Sequence, residues 1–204
     1  MQNMQSLSRL RRSIRKPSTP RAPHGFTVIE LMVVVSILAL LAALALPSFT
    51  PLIERWRVQQ TQKGLESTVY FARAEAIKRG GTVSIRKHPT GTNDCPLAPA
   101  NANWDCGWFV FADTNSNGML DAGEEVLQSF LTPPNLDVTR IGGAASIQFD
   151  RWGRVMPDPL APFVGFNLVP HGKDFSNLAA RGMCMSSGGR IRTIKSQDMP
   201  CTSG

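Results

Sequence analysis

The 204 residues, 42% of them hydrophobic, are enough for one ordinary globular core plus an additional apolar segment. The formal net charge of +7 does not make the body of the chain a nucleic-acid binder, because Arg9, Arg11, Arg12, Arg15, Lys16 and Arg21 lie in residues 1–25 without an acid and account for all but one of those charges. Enzyme chemistry is equally unsupported, since no nucleophile, base or metal constellation surrounds the three histidines, His24, His88 and His171.

In chain order, the first predicted element is the 21-residue run Phe26 to Leu46, FTVIELMVVVSILALLAALAL, whose one formal charge is Glu30. As a helix it is about 30 Å long, which matches a bilayer core. The basic residues before it place the N-terminus in the cytoplasm and the chain beyond about residue 50 outside. A cleavable secretory signal has the same general shape, but this run is too long and no small-x-small site closes it before Pro47-Ser48-Phe49.

The small residue sits instead at the near end, in Pro23-His24-Gly25-Phe26-Thr27-Val28-Ile29-Glu30. This stretch resembles the type IV prepilin family, in which a leader peptidase cuts after a glycine, phenylalanine follows, and glutamate is the fifth mature residue. The resemblance implies a cleaved basic leader over 1–25, cutting between Gly25 and Phe26, N-methylation of Phe26, and an assembly role for Glu30. A carboxylate in hydrocarbon needs a partner, and a new α-amino group on Phe26 of its own or a neighbouring subunit would be one. The alternative is a glutamate close enough to the interface to stay wet.

Residues 47–80 read as an amphipathic continuation of the helix, with Leu52, Ile53, Trp56, Leu65, Val69, Phe71, Ala72 and Ile77 on one face. Pro47 and Pro51 should bend it, and Gly80-Gly81 should end it. Residues 81–204 switch to short β-branched and aromatic runs. Strands are expected near 82–87, 107–112, 125–131, 136–140, 146–150, 165–169, 181–185 and 190–195. Cys95, Cys106, Cys184 and Cys201 all fall in this part and suit two disulfides in an oxidising compartment. Four cysteines allow three pairings, of which sequence proximity favours Cys95 with Cys106 and Cys184 with Cys201.

Gly107-Trp108-Phe109-Val110-Phe111-Ala112-Asp113, an Asn- and Gly-rich turn, Glu124-Glu125-Val126-Leu127, and Phe149-Asp150-Arg151-Trp152-Gly153-Arg154-Val155 resemble the FimT/GspH group of minor pilins and pseudopilins. The implied fold is α+β and type IV pilin-like: a long N-terminal helix, transmembrane in its first half, packed on an antiparallel β-sheet head. The implied partners are other major and minor pilins through the helix, a prepilin peptidase, and the inner membrane before assembly. The head would be periplasmic and then part of a pilus at the cell surface; no cofactor is implied.

The turn Asp113, Asn115, Asn117, Gly118, Asp121, Glu124 also fits the calcium-loop spacing D-x-[DN]-x-[DN]-G-x5-E. Its flanks read as strands, where an EF-hand has helices, and the same residues are what a tight hairpin selects for backbone reasons. The plain turn is the favoured reading.

In the tail, Gly189-Arg190-Ile191-Arg192 resembles the G-R-x-R motif with which FimT-type pilins bind DNA in natural transformation. On an extended strand Arg190 and Arg192 would share a face and form a phosphate fork, with Lys195 and Arg181 as extensions. Arginines on an edge strand also serve simply to prevent edge-to-edge pairing. The expected function is a minor type IV pilin that binds double-stranded DNA without sequence preference, the alternative being a structural minor pilin or type II secretion pseudopilin that primes or caps a filament.

Overall fold

The computed structural model describes residues 25–92, 95–96, 98–157, 163–186 and 188–203, with the side chains of 44–48 outside the description. Residues 1–24, most of the expected leader, also lie outside the described residues. The chain divides into two compact units, Met1–Leu44 and Ala45–Gly204.

In the first unit the helix α1 (Val28–Arg79) begins. Thr27 caps it: its Oγ1 accepts from the Glu30 N–H at 3.2 Å and its carbonyl from the Leu31 N–H at 3.1 Å. Thr27-Val28-Ile29-Glu30 therefore has capping-box spacing, with an acid in the first turn where the helix dipole favours it. Val28, Ile29, Leu31, Met32 and the apolar residues through Leu41 are exposed. No helix among the described residues is long and apolar enough to cross a membrane.

Among the described residues the second unit carries the rest of α1 and eight strands. These are β1 (Val83–Lys87), β2 (Trp108–Ala112), β3 (Val126–Phe130), β4 (Leu136–Ile141), β5 (Ser146–Phe149), β6 (Val164–Pro170), β7 (Arg181–Met185) and β8 (Ile191–Lys195). The expected antiparallel sheet region consists of two four-stranded antiparallel sheets, ordered β3-β2-β1-β5 and β4-β6-β7-β8. All eight strands fall within two residues of the expected ranges.

The buried face of α1 is Val58, Leu65, Val69, Ala72 and Ala76, with the polar Thr61, Gln62 and Thr68 between them, a helical three-four spacing. The expected stripe began too early, for Leu52 is 62% and Trp56 61% exposed. A hydrophobicity reading follows apolar side chains. The true face admits Thr68, which donates to the Gly64 carbonyl at 2.8 Å and accepts from Trp108 Nε1 at 3.0 Å.

Against this face both sheets deliver one core: Val83 and Ile85 of β1, Trp108 and Val110 of β2, Ile147 and Phe149 of β5, Val138, Phe166 and Met183 of the second sheet. Aromatic pairs fill this core, Trp108 and Phe130 facing each other across β2 and β3 of the first sheet. Trp108 stacks on Phe130 at 4.7 Å between centroids, and Trp104 meets Phe166 edge-on at 5.0 Å. At Gly107, with φ +94, a Cβ would lie 2.1 Å from the Phe130 carbonyl oxygen, so β2 can approach β3 here only as glycine.

Candidate nucleic-acid interface

The tail is a hairpin of β7 and β8 on the edge of the second sheet, in register Arg181↔Lys195 at one end and Met185↔Ile191 at the other. Its turn is closed by the Gly189 N–H on the Ser186 carbonyl at 2.8 Å, and Ser186 Oγ accepts from the Arg190 N–H at 3.2 Å. Gly189 holds φ +82, the left-handed region that only glycine enters freely.

Arg73, on the second half of α1, reaches this turn. Its Nη1 donates to the Gly189 carbonyl at 2.7 Å and its Nε to the Gly153 carbonyl at 2.8 Å. A Cβ on Gly189 would stand 2.4 Å from the guanidinium carbon, so a side chain here would have to displace the Arg73 guanidinium from its position.

Arg190 and Arg192 are both exposed. Arg190 lies in the turn and not on a strand, since β8 starts at Ile191. Arg192 is paired opposite Cys184, and its Nη2 lies 3.4 Å from the Ser203 carbonyl oxygen and 3.5 Å from its hydroxyl.

The structure does not bring the two expected extensions to the same place. Arg181 and Lys195 pair at the far end of the hairpin, roughly 13 Å of strand from the turn. Arg181 also spends its Nη1 on the carbonyls of Leu178 (2.9 Å) and Ala180 (2.7 Å). By strand alternation Lys195 shares a face with Ile191, opposite to Arg192.

Disulfides join Cys95 to Cys106 and Cys184 to Cys201. The second draws the segment after β8 back onto β7 and forms a small apolar cluster with Ile194, Ile141, Phe163 and Met199.

The 113–124 loop is organised by its own donors. Asp113, almost completely buried, accepts from Ser84 Oγ at 2.6 Å and from the N–H groups of Asn117 and Gly118. Asp121 accepts from the side chains of Asn115 and Asn117, each at 2.7 Å, and these two bonds hold its carboxyl below the usual range. Glu124 accepts from the Asp121 N–H and from Thr114, which likewise lower its pKa. The flanks are β2 and β3, and among the described residues no group of three or more His, Cys, Asp or Glu is placed to hold a metal ion.

The histidines occupy separate settings. His88 packs on Phe109 at 5.1 Å and lies 2.9 Å from Ser129 Oγ, with burial pushing its pKa down. His171 lies 2.7 Å from Asp137, which pushes it up. A pocket of about 810 Å³ opens over Arg86, His88, Phe109 and Leu120 on the first sheet, whereas the tail belongs to the second.

Two residues of the tail's surroundings escaped sequence reasoning. Arg73 looks like any polar residue of an amphipathic helix, and its basic side chain among Phe71, Ala72 and Ala74 is the sole hint. Trp152 was legible only as part of a strand-turn-strand motif, yet it stands exposed beside Gly153, the other carbonyl that Arg73 holds.

A family described as "Type II transport protein GspH" matches residues 62–192, and a "Prokaryotic N-terminal methylation motif" matches residues 20–46. The pilin-like protein PilA1 of Thermus thermophilus is 28% identical over 174 residues, covering 84% of this chain and 91% of that protein. The crystal structure of the type IV minor pilin FimU of Pseudomonas aeruginosa superposes with a TM-score of 0.51 at 20% identity, over 72% of this chain and 95% of that one. That likeness shows the fold: a helix packed on antiparallel sheets.

Proposed function

This chain belongs to the GspH family and is a type IV pilin-like minor pilin or pseudopilin, and we propose that it binds DNA through the Gly189–Arg192 end of its tail. The observation that carries this reading is the pair Arg190, in the turn that Arg73 fastens to the helix, and Arg192, on the strand that leaves that turn, both exposed. Guanidinium groups recognise phosphate oxygens in a planar fork, and fixing the turn lowers the ordering cost of presenting them. Few phosphates are engaged per copy, so the binding is weak, sensitive to salt and indifferent to sequence, and several copies or neighbouring basic pilins add avidity.

The subunit reaches DNA as part of a filament. A prepilin peptidase cuts between Gly25 and Phe26, Phe26 is methylated, and Phe26–Leu46 crosses the inner membrane before assembly with other pilins; the match of the methylation motif to residues 20–46 supports this. Glu30 then neutralises the α-amino group of a neighbouring subunit in the apolar filament core. DNA held at the tail is taken up in natural transformation. The chain is a structural and binding subunit, not an enzyme.

The test is fluorescence anisotropy of labelled duplex DNA with the full chain in detergent, over a salt series, beside an Arg190→Gln, Arg192→Gln double variant. Binding that falls with salt and is lost in the variant supports the reading. No binding at low salt, or equal binding by the variant, overturns it and leaves a subunit that primes or caps a filament.

A further inference from the structure

Trp152 is 63% exposed, an unusual position for the largest apolar side chain. The turn that presents it is firmly built. Asp150 Oδ1 accepts from the N–H groups of Trp152 and Arg154, each at 2.9 Å, and its backbone N–H donates to the Arg154 carbonyl at 2.9 Å. Burial pushes the Asp150 carboxyl up, but these bonds and the Arg154 guanidinium together bring it below the usual range, so it remains ionised and in place. The Arg151 backbone packs on Gly81, where a Cβ would lie 3.3 Å from its nitrogen.

Two guanidinium groups attend the indole. The Arg154 carbon lies 4.7 Å and the Arg151 carbon 5.5 Å from the ring centroid, within cation–π range. The neighbouring carbonyl, Gly153, is one of the two that Arg73 binds, and Gly189 is the other. The Trp152 turn and the Arg190 turn are thus held side by side on a single guanidinium. An exposed indole with guanidinium groups lying over it presents π-surface and positive charge together, which fits a partner with flat π-faces and anionic charge, such as a nucleic-acid strand with unpaired bases.

We propose that Trp152 is a base-stacking platform, on which an unpaired base lies while the flanking phosphates contact Arg151, Arg190 and Arg192, so that the tail prefers single-stranded DNA to closed duplex. The inference rests on the DNA-binding reading above. A closed duplex offers this surface only phosphates, because its bases already stack on one another; a single strand or frayed end offers both.

The experiment compares the full chain in detergent against three labelled probes of equal length: oligo-dT, an abasic strand and a duplex. Oligo-dT is expected to bind about tenfold tighter than the abasic strand, the lower part of the range for one stacked base. Trp152→Ala should erase that difference and leave the duplex affinity within about twofold, while Trp152→Phe, which keeps a π-face in the same turn, should restore part of it. Arg190→Gln, Arg192→Gln should weaken all three probes. If wild type shows no preference for bases, or Trp152→Ala keeps it, stacking is overturned while the DNA reading stands on the double variant. If no probe binds, both fall. A Trp152→Ala protein that binds every probe as wild type but fails to enter filaments overturns stacking and assigns Trp152 to a subunit contact.

Discussion

Arg73 and Gly189, 116 residues apart in sequence, are joined by a 2.7 Å hydrogen bond from guanidinium to carbonyl, and through it the last hairpin of the chain is fixed to its first helix. The same guanidinium holds Gly153. Arg73→Met removes two charge-assisted bonds to carbonyls and is expected to cost about 2 kcal/mol or more in thermal or urea denaturation, with Arg73→Lys recovering part because one ammonium can serve one carbonyl. Gly189→Ala meets both a φ of +82 and the guanidinium 2.4 Å away, and should cost about 1–3 kcal/mol. Full stability in either variant contradicts the anchoring role.

The Cys184–Cys201 bridge closes a segment of 17 residues that contains β8. Constraint of the unfolded chain by a loop of that length is worth about 3 kcal/mol. A Cys184→Ser, Cys201→Ser double variant should lose roughly that amount, and the segment after β8, with Ser203 no longer near Arg192, should become the first site of limited proteolysis. An unchanged proteolytic pattern would show that the Ile194 cluster alone secures the segment.

Gly107→Ala is expected to be among the most damaging single changes in the head. The new methyl would point at the Phe130 carbonyl at 2.1 Å and at the Leu131 Cα at 2.9 Å, both backbone atoms, and the residue would keep φ +94. Separating β2 from β3 disturbs the Trp108–Phe130 stack beneath, so a loss of about 3 kcal/mol or failure to accumulate folded protein is the expected outcome. Wild-type melting temperature in this variant would refute the close-approach argument.

Element types were legible because local signals agreed with the fold: β-branched and aromatic runs between Gly, Asn and Pro gave all eight strands, and Gly80-Gly81 marked the end of α1 at Arg79. The division into two sheets was not, because pairing β1 with both β2 and β5 depends on contacts across 60 residues that no window records. The start of the buried face at Val58 was missed because Thr61, Gln62 and Thr68 are polar yet buried. In the tail, strand alternation put Arg190 and Arg192 on one face; the turn takes Arg190 off the strand. Arg73 was hidden for the same reason as the sheet division, its two carbonyl partners lying 80 and 116 residues away.

Asp105 gives the head a pH dependence of definite sign. It is buried, and burial raises its carboxyl to about 6, against the pull of the Val138 N–H that it accepts and of Lys87 nearby. The folded state therefore binds this proton more tightly than the unfolded chain, whose carboxyl titrates near 3.8. Stability contributed through this group rises as pH falls from about 6 toward 4, and above pH 6 the buried carboxylate is a standing cost. His171, raised by Asp137, adds in the same direction as it protonates; His88, lowered by burial, opposes it because the unfolded chain takes up that proton first; Glu124, Asp121 and Asp150 are lowered and lose their contribution only below the ordinary carboxylate range. The two rising contributions separate by mutation. Asp105→Asn keeps an acceptor for the Val138 N–H and removes the titration, so melting temperatures measured from pH 7.5 down to 4.5 should climb less steeply in the variant than in wild type, on a scale set by about 1.4 kcal/mol per unit of pKa difference and reduced by solvent screening. Parallel curves for the two proteins would mean that Asp105 is ionised alike in the folded and unfolded states.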